Sequence, residues 1–96
     1  MQFEWDENKR RSNLESKGLD FRQAWQVYES QNKITLQSPY PDEERLMDMA
    51  EINGRVAVLV YTYRNDHVRC ISFRYAKSKE RRIYDHARQA HQPLQH

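Results

Sequence analysis

From His67 to Tyr84 the chain reads His-Val-Arg-Cys-Ile-Ser-Phe-Arg-Tyr-Ala-Lys-Ser-Lys-Glu-Arg-Arg-Ile-Tyr. The stretch concentrates cations: Arg69, Arg74, Lys77, Lys79, Arg81 and Arg82. His67 and Glu80 can move protons, and Tyr75 and Tyr84 supply aromatic faces. Basic residues interleaved with aromatics suit a nucleic-acid surface. The same set suits phosphodiester chemistry. Cleaving RNA without a metal needs a base for the 2′-OH proton, cations around the pentavalent phosphate, and an acid for the leaving 5′-oxygen. Arg74 and Arg81 fit the second role, because guanidinium binds phosphate oxygens bidentately. Glu80 or His67 could be the base. Tyr84 or protonated His67 could be the acid, and Tyr84 could instead stack on a nucleobase. Arg64 and Lys77 would lie on the approach path.

Each residue also has a plainer reading. A histidine beside a turn is commonly just exposed. Glu80 at a helix start complements the helix dipole, and a partner such as Arg81 or Tyr84 would explain it further. Tyr84 falls on an apolar helix face and could belong to the core. Other chemistries find little support. Ser72 has no identifiable His/Asp partner for a nucleophilic triad. His86, His91 and His96 recur every five residues, which scatters them around a helix. The adjacent carboxylates Asp42-Glu43-Glu44 converge poorly and read as a solvated loop. The only glycines are Gly18 and Gly54, so no Gly-rich phosphate loop exists. Neither a metal nor a cofactor is expected.

The elements that must position these groups follow from local pattern. Phe3-Glu4-Trp5 alternates as a short strand would. Asp6 caps a helix running to about Lys17, and Gly18 supplies its left-handed end. That helix has little apolar content, and its Lys9-Arg10-Arg11 triplet is expected to face water. Asp20 starts a second helix, with Phe21, Ala24, Trp25 and Tyr28 on one face. Lys33–Leu36 reads as a strand and Ser38–Asp42, with two prolines, as a loop.

From Arg45 the pattern is a β-meander. Asn53-Gly54 signals a type I′ hairpin, and Asn65-Asp66 a second, weaker turn. Two-residue loops set the register. One face then collects Met47, Met49, Val56, Val58, Val60, Ile71 and Phe73 as the core. The other collects Leu46, Asp48, Leu59, Tyr61, Tyr63, Cys70, Ser72 and Arg74 as a mixed face that could carry a site. A slip of one residue would overturn this partition. Ser78 caps a last helix whose face includes Glu80, Ile83, Tyr84 and Ala87. Arg74, Glu80, Arg81 and Tyr84 thus form the expected centre, with His67 at the far end of the strand.

Ninety-six residues make one domain, read as 1–90 with a flexible tail at 91–96. A single cysteine, Cys70, excludes an internal disulfide framework and suits a reducing compartment. No apolar run reaches membrane-spanning length, and the first residues lack the apolar centre of a secretory signal. A cytoplasmic protein with no membrane association is expected. Residues 1–53 carry a balance of −4 and residues 54–96 a balance of +6. A basic half points to a polyanionic partner.

Several of these residues recur in one family. Phe3-Glu-Trp-Asp6, Lys9, Asn13, Gly18, Phe21, Ala24 and Val27-Tyr28 resemble the N-terminal pattern of BrnT toxins. Gly54-Arg55, Tyr61-Thr-Tyr-Arg64, Arg69-Cys-Ile-Ser72, Arg74-Tyr-Ala76 and Glu80-Arg81 with Tyr84 resemble its second half, so the likeness spans roughly residues 3–84. The resemblance implies a type II toxin–antitoxin ribonuclease with a RelE-like α+β fold. That fold would be a small antiparallel sheet with two N-terminal helices and one C-terminal helix. It also implies a BrnA-type antitoxin partner, a heterotetrameric complex, and operator DNA contacted only through that complex. By position, Arg64, Arg69, Arg74, Glu80, Arg81 and Tyr84 would serve RNA binding and cleavage. The competing expectation is a non-catalytic, nucleic-acid-associated corepressor that acts through its antitoxin.

Overall fold

Gln2–Glu4 forms strand β1, and the chain turns at Asp6 into helix α1 (Glu7–Lys17). The computed structural model describes residues 1–38 and 44–91. The Asp6 carboxylate accepts from the Lys9 N–H, and Gly18, at φ 79°, closes the helix by donating its N–H to Leu14. Both ends therefore form as the sequence predicts. The Lys9–Arg11 triplet does not all face water. Arg10 is largely covered and pairs with Glu7 and Asp20, tying α1 to the turn that follows.

The second helix is shorter than expected. Asp20 caps a 3-10 turn (Phe21–Gln23), accepting from the Arg22 N–H, and a single α-helical turn α2 (Trp25–Tyr28) follows. Phe21, Ala24 and Val27 are the buried positions, whereas Trp25 stays 48% exposed. The 3-10 turn rotates the chain before α2 begins, so the even helical face drawn through Trp25 does not form.

Strands β2 (Ile34–Gln37), β3 (Leu46–Ile52), β4 (Arg55–Arg64) and β5 (His67–Tyr75) make an antiparallel meander. Asn53 and Gly54 take φ 52° and 77°, and Asn65 and Asp66 take 51° and 63°. Both hairpins thus have two positive-φ central residues, as a type I′ turn requires. The sheet is not wholly antiparallel. β1 joins the outer edge of β5 in parallel, giving the order β1-β5-β4-β3-β2. A three-residue first strand announces its presence but not its direction, because its partner lies more than sixty residues away. Helix α3 (Ser78–His91) ends the description. It reaches His91, the first residue of the expected tail. The expected prolyl loop from Pro39, the carboxylates Asp42 and Glu43, and the tail from residue 92 lie outside the described residues.

The β4–β5 register shifts by one residue beside Val60 and Tyr61. Before the shift Tyr61 faces Cys70; after it Val60 faces Ser72 and Val58 faces Arg74. Ile71 is the extra residue of a β-bulge, which bends the strand and resets which side each later residue takes. The face partition expected from uniform pairing is therefore corrected beyond Ile71. Phe73 joins Leu59 and Tyr61, and Arg74 crosses to the side of Val58 and Met49.

Both faces are packed, so the expectation of a single core face is also corrected. The larger core lies on the side expected to be mixed. There Leu19, Phe21, Ala24 and Val27 cover Ala50, Leu59, Tyr61, Val68, Cys70 and Phe73. On the opposite side Tyr84 of α3 packs on Met49, Val56 and Val58. Phe21 and Phe73 are almost wholly buried, a contribution of about 2–3 kcal/mol each.

Candidate nucleic-acid interface and active site

Alternate residues of β4 fix one face of the sheet: Val58, Val60, Thr62 and Arg64. Their partners on β5 are Arg74, Ser72, Arg69 and His67. The bulge thus gathers Arg64, His67, Arg69, Ser72 and Arg74 on the face opposite α1 and α2. Uniform pairing had put Arg69 and Arg74 on opposite faces. β1 adds Glu4, which pairs with Arg69 and shares its side. Helix α3 covers the Met49–Val58 end of this face, leaving the β4–β5 hairpin end to solvent.

Arg74 sits where β5 ends. Its two terminal nitrogens donate to the two Glu80 oxygens at 2.7 and 2.9 Å. Glu80 also accepts the Lys77 N–H at 2.9 Å. The Arg81 N–H donates to the Lys77 carbonyl, so Lys77 holds the N-cap position and Glu80 is the third helical residue. This is the reciprocal half of a capping box. Ser78, expected as the cap, lies inside the helix and accepts from the Arg81 guanidinium at 3.3 Å. The Arg74 ion pair, aided by the Lys77 amide, holds the Glu80 carboxyl below its ordinary value. The same pair raises Arg74.

Lys77, Ser78 and Arg81 line a cleft of about 360 Å³ beside the β3–β4 turn. Arg55 and Tyr75 complete it, the Arg55 guanidinium lying 3.7 Å from the Tyr75 ring centre. The sequence reading had assigned no role to Arg55. Its only signal was a cation next to the Asn53-Gly54 turn, which cannot say what lies across the sheet.

Tyr84 does not open onto this cleft. It is 4% exposed, and its hydroxyl donates to the Asn32 carbonyl at 3.4 Å. Burial raises its hydroxyl above the ordinary phenol value. His67 lies seven residues from Arg74 along β5, about 20 Å at the rise of a strand. Its Nδ1 faces Glu4 Oε2 at 3.4 Å. The expected constellation therefore divides in two. Arg74, Glu80, Arg81 and Lys77 gather at the strand–helix junction. Arg64, His67 and Arg69 gather near the hairpin tip, joined by Glu4, another residue the sequence had not marked as functional.

A sheet with α1 and α2 on one face, and on the other α3 at one end and an open basic surface at the hairpin end, invites comparison with known families. The sequence model of the BrnT family, described as the ribonuclease toxin of a type II toxin–antitoxin system, matches residues 5–80. The chain belongs to the BrnT family. The match runs from Trp5 to Glu80, and so includes every strand from β2 to β5 and the residue that anchors Arg74. BrnT membership makes the chain a toxin of a type II toxin–antitoxin system, with ribonuclease as its described activity and an antitoxin as its counterpart. No curated protein matches the chain significantly. Among the described residues no helix is long and apolar enough to cross a membrane.

Proposed function

We propose that this BrnT protein is a metal-independent endoribonuclease that cleaves RNA by 2′-OH attack and thereby blocks translation. The observation that carries the reading is the bulge at Ile71, which puts Arg64, Arg69 and Arg74 on the same side of the sheet, from its open hairpin end to the start of α3. Guanidiniums spaced along one face suit the phosphates of a single strand. Arg74 binds a phosphate, held at the correct angle by Glu80. Both Glu80 oxygens are already engaged, so its role is to position Arg74 and its proton-transfer role falls to His67. Lys77 and Arg81 extend the track past the end of β5, and the Arg55–Tyr75 stack forms another wall of their cleft. Tyr84 supports the helix from inside, since its hydroxyl is occupied by Asn32.

The fold reading that goes with this is RelE-like, and the protein acts in the cytoplasm. A BrnA-type antitoxin neutralises it by covering the basic face, in a heterotetramer through which operator DNA is contacted. The test is incubation of the purified chain with RNA in EDTA. Cleavage leaving a 2′,3′-cyclic phosphate, and its loss with Arg74→Ala, is the expected result. RNA left intact by the wild-type chain would favour a corepressor that acts only through its antitoxin.

A further inference from the structure

Glu4 enters the basic face from the neighbouring strand. Parallel pairing sets it beside Arg69, and the next alternate residue, Gln2, beside His67. Its Oε2 lies 3.4 Å from His67 Nδ1, and its Oε1 lies 3.7 Å from the Arg69 guanidinium. Oε1 is buried and accepts no hydrogen bond from the described residues. With Arg69 beyond hydrogen-bond length, this buried oxygen is only partly compensated, and such a group in a native fold asks for an account beyond packing. The His67 side chain remains 36% exposed, so the ring is within reach of a ligand.

The tautomer follows from the partners. An ionised carboxylate only accepts hydrogen bonds, so the contact requires the proton on Nδ1. Nε2 is then the basic nitrogen. We propose that Glu4, His67 and Arg69 form the proton-transfer end of the RNA site, an assignment that rests on the ribonuclease reading above. His67 is the catalytic base, Arg69 binds the scissile phosphate, and Glu4 is a positioning residue that orients the imidazole. His67 Nε2 takes the proton from the 2′-hydroxyl. The 2′-oxygen bonds to phosphorus as the P–O5′ bond breaks. The 5′-oxygen leaves with a proton from water, and the imidazolium returns its own proton to solvent. The substrate class is single-stranded RNA with a free 2′-hydroxyl at the cut. The 2′-O-methyl strand binds and is not cleaved.

The test is a double-mutant cycle in the full-length chain on a short single-stranded RNA. His67→Ala lowers kcat by about 100-fold or more, the scale of a lost general base. Glu4→Gln lowers it by about 10-fold or more with KM little changed, and the double variant is no slower than His67→Ala alone. Losses that multiply in the double variant, or a His67→Ala chain as active as wild type, overturn the assignment while leaving the ribonuclease reading intact. A wild-type chain that cleaves no RNA overturns both. Nitrogen NMR of the wild-type imidazole supplies a readout independent of activity and of the variants' folding. The expected neutral tautomer is Nδ1–H, shifting in Glu4→Gln, and an Nε2–H tautomer in the wild type overturns the assignment.

Discussion

The Asn13 side chain pairs with the backbone of Phe73 as though it were a strand. Its amide nitrogen donates to the Phe73 carbonyl at 2.7 Å and its oxygen accepts the Phe73 N–H at 3.2 Å. The same nitrogen also donates to the Leu19 carbonyl at 2.8 Å. β1 stops pairing at Arg69, so the edge of β5 beyond it would otherwise lack partners. One amide on α1 completes the strand that carries Arg74. Asn13→Ala is expected to cost about 2–3 kcal/mol, because it strands buried backbone groups as well as removing bonds. Asn13→Asp should also be destabilising, since it keeps an acceptor and sets a carboxylate against two carbonyls. Urea unfolding of the three chains checks both.

The Arg74–Glu80 pair should make stability depend on acid. The folded Glu80 carboxyl titrates below the ordinary 4.5 because of Arg74. As pH falls through that value, the unfolded chain takes up the proton first. The pair's stabilisation is therefore complete above about pH 4.5 and is lost progressively below it. A Glu80→Gln chain lacks this dependence. Its deficit against wild type should be about 1–3 kcal/mol near pH 7 and should shrink in acid, as measured by denaturant midpoints across pH.

Salt should separate phosphate contacts from background charge. Each cation that neutralises a single-strand phosphate contributes about 0.7 to the slope of log affinity against log salt. Arg64→Ala, Arg69→Ala and Arg74→Ala are each expected to reduce the slope by about that amount on a 2′-O-methyl oligonucleotide. Arg82→Ala, on the outer side of α3, should leave it unchanged. Equal effects from all four would mean diffuse attraction with no track.

Cys70 should report unfolding. It is buried against Phe73 and Tyr61, and burial pushes its thiol up to about 12. A thiol with that value carries almost no thiolate near pH 8. The native chain should resist a disulfide reagent there, and modification should follow the unfolded fraction as urea rises. Rapid labelling in buffer would contradict the packing of β5 on α1.

Local signals in the sequence proved faithful where one or two residues decide the outcome. Asp6 and Gly18 bound α1, and Asn53-Gly54 sets the β3–β4 register, because capping and left-handed turns depend on the residues themselves. The parallel pairing of β1 was not legible, since Phe3-Glu4-Trp5 alternates alike beside any strand. The bulge was hidden for a related reason: Cys70-Ile71-Ser72 contains no glycine or proline to mark it. The error it caused was systematic, turning over Ser72, Phe73 and Arg74 relative to their β4 partners. Arg74–Glu80 was legible as a neighbourhood but not as a bond. Glu4 was invisible as a site residue because its partners, His67 and Arg69, are distant in sequence.

The bulge carries one more consequence. Ile71 touches neither Arg74 nor Glu80, and truncating its side chain should disturb little. Deleting the residue would leave a uniform ladder with Ser72 still opposite Val60 and Arg74 still opposite Val58, so the arginine would keep its side. Ironing out the bulge while Ile71 stays in the ladder is different: every later residue would then turn over, sending Arg74 toward α1 and Phe73 to the opposite face. The side on which Arg74 emerges is thus a property of the register across residue 71 and not of any contact that Ile71 makes. A change that shifts this register would erase the toxin's working surface while leaving every one of its arginines in the chain.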